Sequence, residues 1–143
     1  MKFLFGMLTL VVAVPLLAAS GSGVTFVAHD KVTAALAKGG PLVSAKDLLV
    51  SGSHRDKAGQ VEVHDRETDV IYVIDGEATF VTGGTMVGGK VSKPGQSVGT
   101  DIQGGDTNHL TKGDVVVVPA GVPHWFKEVP HSVSYYVVKV LKQ

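Results

Sequence analysis

The sequence predicts an all-β domain, a small sandwich or barrel, with one short helix near its N-terminus. Three observations carry that reading. Eighteen glycines among 143 residues call for many tight turns. Apolar and polar residues alternate in several short runs, and turn residues punctuate those runs at short intervals. The length suits a single hydrophobic core and is too short for two. Thirteen basic residues balance thirteen acidic ones, with no basic stripe interleaved with aromatics, so nucleic acid is excluded as a partner. There is no cysteine. Disulfides and thiolate ligands are therefore excluded, and His, Asp and Glu remain as metal donors.

Residues 1–20 stand apart from the fold. Met1-Lys2 is a positive start, Phe3 to Leu17 an apolar run, and Ala18-Ala19-Ser20 a set of small residues suited to cleavage. The run falls short of the ~20 residues of a membrane span. It reads as a secretory signal peptide, with an uncleaved anchor as the alternative, so the mature chain is expected to be secreted or periplasmic with no stable membrane span. Residues 21–40 form an N-terminal segment with a short helix, capped by Asp30, apolar at Val32, Ala35 and Leu36, and stopped by Gly39-Gly40-Pro41.

Residues 41–143 supply the β domain. Leu48-Leu49-Val50 lead into a turn-rich stretch at 51–59. Gln60 to Arg66 alternates, with Val61 and Val63 on one face and Glu62 and His64 on the other. Asp69 to Ile74 reads as the next strand, Asp75-Gly76 as a hairpin turn, and Ala78 to Thr82 as the returning strand. The glycine-rich stretch from Gly83 to Gly105 reads as a mobile excursion. Thr111 to Asp114 is a turn, Val115 to Val118 a buried strand, and Pro119-Ala120-Gly121 a second turn. His124-Trp125-Phe126 and Ser132 to Leu141 close the pattern.

Two segments carry a resemblance. Glu62-x-His64, four residues, Asp69, six residues and Gly76 match the spacing of one motif; Gly113, five residues, Pro119-x-Gly121, two residues and His124 match a second. Together they resemble the two motifs of the cupin superfamily, over residues 60–128. The resemblance implies a single-domain jelly-roll β-barrel whose metal ligands come from these positions. The usual first motif has His where Glu62 stands and Glu where Asp69 stands, and the usual second motif has Asn at Glu128. The implied metal set is thus Glu62, His64, Asp69 and His124, two imidazoles and two carboxylates. Homodimers are common in the family, and Val70, Tyr72 and Ile74, opposite in face to Asp69, are the expected contact.

Such a set is rich in hard oxygen donors and favours a divalent ion, Fe²⁺ or Mn²⁺ first, with Zn²⁺ as an alternative. His64, Asp69 and His124 alone have the composition of a two-histidine, one-carboxylate triad, which leaves Glu62 as fourth ligand or catalytic base. Without a cation the two carboxylates would repel each other. The expected partner is a small organic molecule. Three functions suit the pattern: a metal-dependent, dioxygenase-like enzyme; a redox-silent isomerase or lyase; and a non-catalytic small-ligand or metal-binding protein. Loss of the metal is the bland alternative. Ile71, Val73 and Phe126 are the expected apolar lining, and Arg55 and His54 are expected in a solvated turn.

Overall fold

The computed structural model describes residues 23–142, so the expected signal peptide lies outside the described residues. Helix α1 spans His29–Lys38. Ala28, not Asp30, is its cap: the Ala28 carbonyl accepts from the Lys31 and Val32 amides at 3.1 and 3.2 Å. Asp30 sits in the first turn, where its charge complements the helix end. Gly39 adopts φ 77°, and its amide donates to the Ala35 carbonyl at 2.8 Å, ending the helix where the sequence places the stop. No helix among the described residues is long and apolar enough to cross a membrane.

Twelve strands follow among the described residues: β1 Gly40–Ser44, β2 Leu48–Arg55, β3 Val61–His64, β4 Glu67–Thr82, β5 Thr85–Val87, β6 Lys90–Lys93, β7 Gln96–Gly99, β8 Asp101–Gln103, β9 Asp106–Thr111, β10 Val115–Val118, β11 His124–Glu128 and β12 Val133–Leu141. They form a curled antiparallel sheet in the order β1-β2-β12-β4-β11-β3-β7-β6, with β10 and β9 also paired to β4; β5 and β8 form a separate ribbon. The first half of β4 runs between β12 and β10, and its second half between β11 and β9. One strand therefore belongs to both walls of the jelly roll.

Four local expectations are corrected. Asp75-Gly76 is not a hairpin: β4 continues through it with a register shift opposite Ser134–Tyr135, and Gly76 takes φ 80°. The extra residue of the bulge is Ile74, and the positive φ of Gly76 two residues on lets the strand pass from one wall to the other. Residues 51–55 are strand, not turn. Gly52 is needed for close approach, because a Cβ there would lie 2.8 Å from Ala35 on the helix. The stretch 83–105 is folded into short strands, with β7 paired along all of β3. Lastly, β10 buries only Val118 fully; Val115 and Val117 are 60 % and 58 % exposed, because this strand pairs only with β4 and turns alternate residues outward.

The main core joins Ile71, Val73, Ala78, Phe80, Leu110, Val118, Phe126, Val133 and Tyr135. Phe126 lies in it, between Phe80 at 4.6 Å and a stacked Tyr135 at 4.9 Å. A smaller cluster holds Val61, Val81 and Ile102, with Trp125 packed against it and donating its indole N–H to the Gly59 carbonyl at 2.8 Å.

Candidate metal centre

Strand geometry assembles the site. Glu62 and His64 stand two residues apart on β3 and share a face. His124 on β11 is the register partner of Glu62, which sets its side chain beside that carboxylate. The turn between Pro119 and His124 is tied to the same strand by the Gly121 amide, which donates to the His64 carbonyl at 2.8 Å. Asp69 arrives from the opposite wall. The sequence reading places its strand next to β3, but β3 pairs with β7 and β11, and β4 pairs elsewhere. His64 and Asp69 meet across the interior, not along a hairpin.

All four residues named from the sequence converge. His64 Nε2 lies 3.5 Å from Glu62 Oε2 and 3.5 Å from Asp69 Oδ2; His124 Nε2 lies 4.0 and 3.8 Å from the same two atoms. His64, Asp69 and His124 are buried, while the Glu62 side chain is 31 % exposed. Glu62, His64 and His124 form one group able to hold a metal ion, and His64, Asp69 and Glu67 form another. Glu67 is an addition to the set read from the sequence.

The protonation pattern suits ligation. His124 Nδ1 lies 3.1 Å from the Val122 carbonyl, which can only accept, so Nδ1 carries the proton and Nε2 turns a lone pair to the cluster. Burial pushes the His124 pKa down, against the Val122 carbonyl and the Asp69 and Glu62 charges, and keeps the ring neutral. The Glu62 carboxyl is lowered from its ordinary range, against its desolvation, to the extent that His64 first and His124 next carry a proton toward it. Donor type, spacing and tautomer thus fit a divalent cation.

Lys139 is the residue that the sequence reading misses. It is the register partner of Asp69 on β12, and its Nζ donates to Asp69 Oδ1 and Oδ2 at 2.8 and 3.0 Å. It also lies 2.9 Å from Glu67 Oε2 and 3.1 Å from His64 Nε2. Burial opposes its charge, but Asp69 and then Glu67 outweigh burial and raise its pKa. Desolvation pushes the Glu67 carboxyl up, but Lys139 outweighs it and the pKa is lowered. Alternation puts Lys139 in phase with Val133, Tyr135 and Val137 along β12, but only the register against β4 sets it opposite Asp69.

A cavity of about 230 Å³ is lined by Glu62, His64, Asp69 and Lys139, with Ser53, Arg55, Ile71, Gln96, Tyr135 and Val137 as its walls. Arg55 is therefore a wall of the site, not part of a solvated turn. Its Nε donates to the Tyr135 hydroxyl at 3.0 Å, and its guanidinium lies 4.9 Å from the Phe126 ring centre. Ile71 lines the cavity as expected, whereas Val73 and Phe126 pack in the core. Elsewhere, His109 pairs with Glu77, His54 with Ser134, and Glu128 accepts from Thr79. Arg66 donates to the Lys142 carbonyl at the exposed surface.

An antiparallel barrel with inward imidazoles and carboxylates defines a class of small metal-binding β-barrels. The cupin family model matches residues 49–141, and the chain belongs to the cupin family. Solved structures with the same fold include KdgF from Halomonas sp., at 14 % identity over 73 % of this chain and 77 % of that one, TM-score 0.53. BH2720 from Bacillus halodurans matches at 13 % identity over 72 % and 69 % of the two chains, TM-score 0.53. The cupin domain of Cnp3 from Schizosaccharomyces pombe matches at 12 % identity over 72 % and 59 %, TM-score 0.52. Comparison with curated proteins gives no match.

Proposed function

We propose that this cupin is a metal-dependent enzyme, dioxygenase-like, acting on a small organic molecule outside the cytoplasm. The observation that carries the reading is the convergence of His64 Nε2 and His124 Nε2 on Glu62 and Asp69 through contacts of 4.0 Å or less, with Glu62, His64 and Asp69 lining a cavity of about 230 Å³ and His124 buried behind them. His64, His124 and Glu62 would hold the ion, with Asp69 completing the set. Fe²⁺ or Mn²⁺ suits these donors best and Zn²⁺ remains compatible. When bound, such an ion polarises a ligand oxygen and leaves positions open.

The chain's own groups supply the rest. Where His64, Asp69 and His124 hold the ion without it, Glu62, partly open to the cavity, is placed to accept a proton from a bound molecule. Arg55, steadied by Tyr135 and Phe126, can orient an anionic or carbonyl oxygen at the mouth. A redox-silent isomerase or lyase is the second reading. It is favoured by the presence of a carboxylate base and the Lys139 ammonium in one cavity, an acid and base pair that needs no oxidant. Residues 1–20 support export. The outward row of Val115, Val117 and Tyr72, the last 44 % exposed, supports homodimerisation through that wall.

The test is metal loading of the purified chain, read by elemental analysis and titration calorimetry with Fe²⁺, Mn²⁺ and Zn²⁺. One ion per chain is expected. His64→Ala and His124→Ala should each weaken uptake by more than the roughly 10–100-fold that loss of an outer-sphere partner costs. Undiminished uptake in both variants would remove the proposed centre.

A further inference from the structure

We infer that Lys139 is a resident counter-cation that competes with the metal for His64 and Asp69, so that the ion enters only as this ammonium withdraws. The inference rests on the metal reading above and concerns a residue outside both motifs. Its basis is a count of donors and lone pairs. The ammonium has three protons and no acceptor. Around Nζ stand His64 Nε2 at 3.1 Å, Glu67 Oε2 at 2.9 Å and the two Asp69 oxygens at 2.8 and 3.0 Å.

An ammonium only donates, so Nε2 of His64 receives, and an imidazole nitrogen has a single lone pair. That lone pair serves Lys139 or a metal, never both. His64 Nδ1 cannot substitute, because it must then carry the proton; it is buried and makes no hydrogen bond, with Glu67 Oε2 at 3.5 Å. Asp69 has lone pairs to spare, yet a dication on it would lie beside the ammonium in a desolvated site, where like charges repel strongly. Lys139 has somewhere to go. Its side chain is 22 % exposed, its stem is flexible, and Glu67, 27 % exposed, can retain the ammonium as it leaves His64.

The arrangement also explains how two acidic groups tolerate one interior without an ion. Asp69 is buried, and the register of β12 against β4 fixes Lys139 opposite it. The lysine is the cation of the metal-free chain. A neutral residue at 139 should therefore bind metal better and tolerate its absence worse.

The experiment is calorimetric titration of metal-free protein with Mn²⁺ and with Zn²⁺, in the unmodified chain, Lys139→Gln and Lys139→Met. The glutamine keeps an amide donor for Asp69 and so guards against a folding failure. Both variants should bind at least ~10-fold tighter, a modest part of the repulsion between close charges. Their metal-free melting temperatures should fall below that of the unmodified chain, and the metal should close the gap. In the unmodified chain, the ¹⁵Nζ signal of Lys139 should be protected from exchange without metal and lose that protection with one equivalent of Zn²⁺. Equal or weaker binding in the variants, with the unmodified chain still binding, would overturn the competition and leave the metal centre standing. A Nζ signal indifferent to Zn²⁺ bound at one equivalent would do the same. Failure of all three proteins to bind either ion would overturn both.

Discussion

One carbonyl oxygen, that of Val122, decides which nitrogen of His124 faces Glu62 and Asp69. Burial then holds that ring's pKa below 6.5, so its contribution to stability is complete above 6.5 and is lost as pH falls through the folded value. Glu62 and Glu67, both lowered, contribute fully above about 4.5 and lose that contribution as pH falls further. Lys139 is raised, so its share is present below about 10.5 and is lost as pH rises through the folded value. The metal-free chain should thus show a stability plateau near pH 7–10. Its urea midpoint should decline below pH 6.5, with a shallower decline in His124→Asn; a midpoint unchanged between pH 8 and pH 4 would contradict this. At this scale the sequence was informative where spacing carries chemistry: Glu62, His64, Asp69 and His124 meet as expected. It was silent where a residue belongs to no motif. Lys139 and Glu67 enter through strand register, which no local pattern specifies, and Arg55 was hidden because Gly52 and Ser53 beside it suggested a turn.

Among the elements, β4 shows how a single glycine misleads. Asp75-Gly76 has the composition of a hairpin, yet β12 lies alongside from Glu67 to Gly76 and holds the strand straight enough to continue. Gly76 sits at φ 80°, and a Cβ there would clash with the Ser132 carbonyl oxygen. Gly76→Ala should therefore cost the ~1–3 kcal/mol of a strained backbone and more for the clash. A urea midpoint equal to that of the unmodified chain would show that the backbone at Gly76 relaxes freely. The loss should appear as stability first, since Gly76 lies in the half of the strand remote from Asp69. Local composition likewise hid β5 to β8: their pairing partners are distant in sequence for β3 and β7, and glycine content alone does not distinguish an excursion from short ribbons.

For the whole molecule, the class of fold was legible because turn spacing and alternation extend over the full domain, while the strand order was not. The outward wall is one consequence of that order. Register sets Val115 beside Tyr72 and Val117 beside Val70, and places Tyr136 and Val138 next to them on β12. Light scattering of the chain should give twice the monomer mass, and Val117→Glu should return it to one, with melting temperature reported alongside. A monomer in the unmodified chain would dismiss the dimer while leaving the interior site untouched.

Because both walls share β4, neither can dissolve while the other survives: each would lose its central hydrogen-bonding partner. Amide exchange in Val70–Val73 and Ala78–Val81 should accordingly report the same opening event, and a backbone cut near residue 76 would yield two pieces that hold native shape only by reassociating.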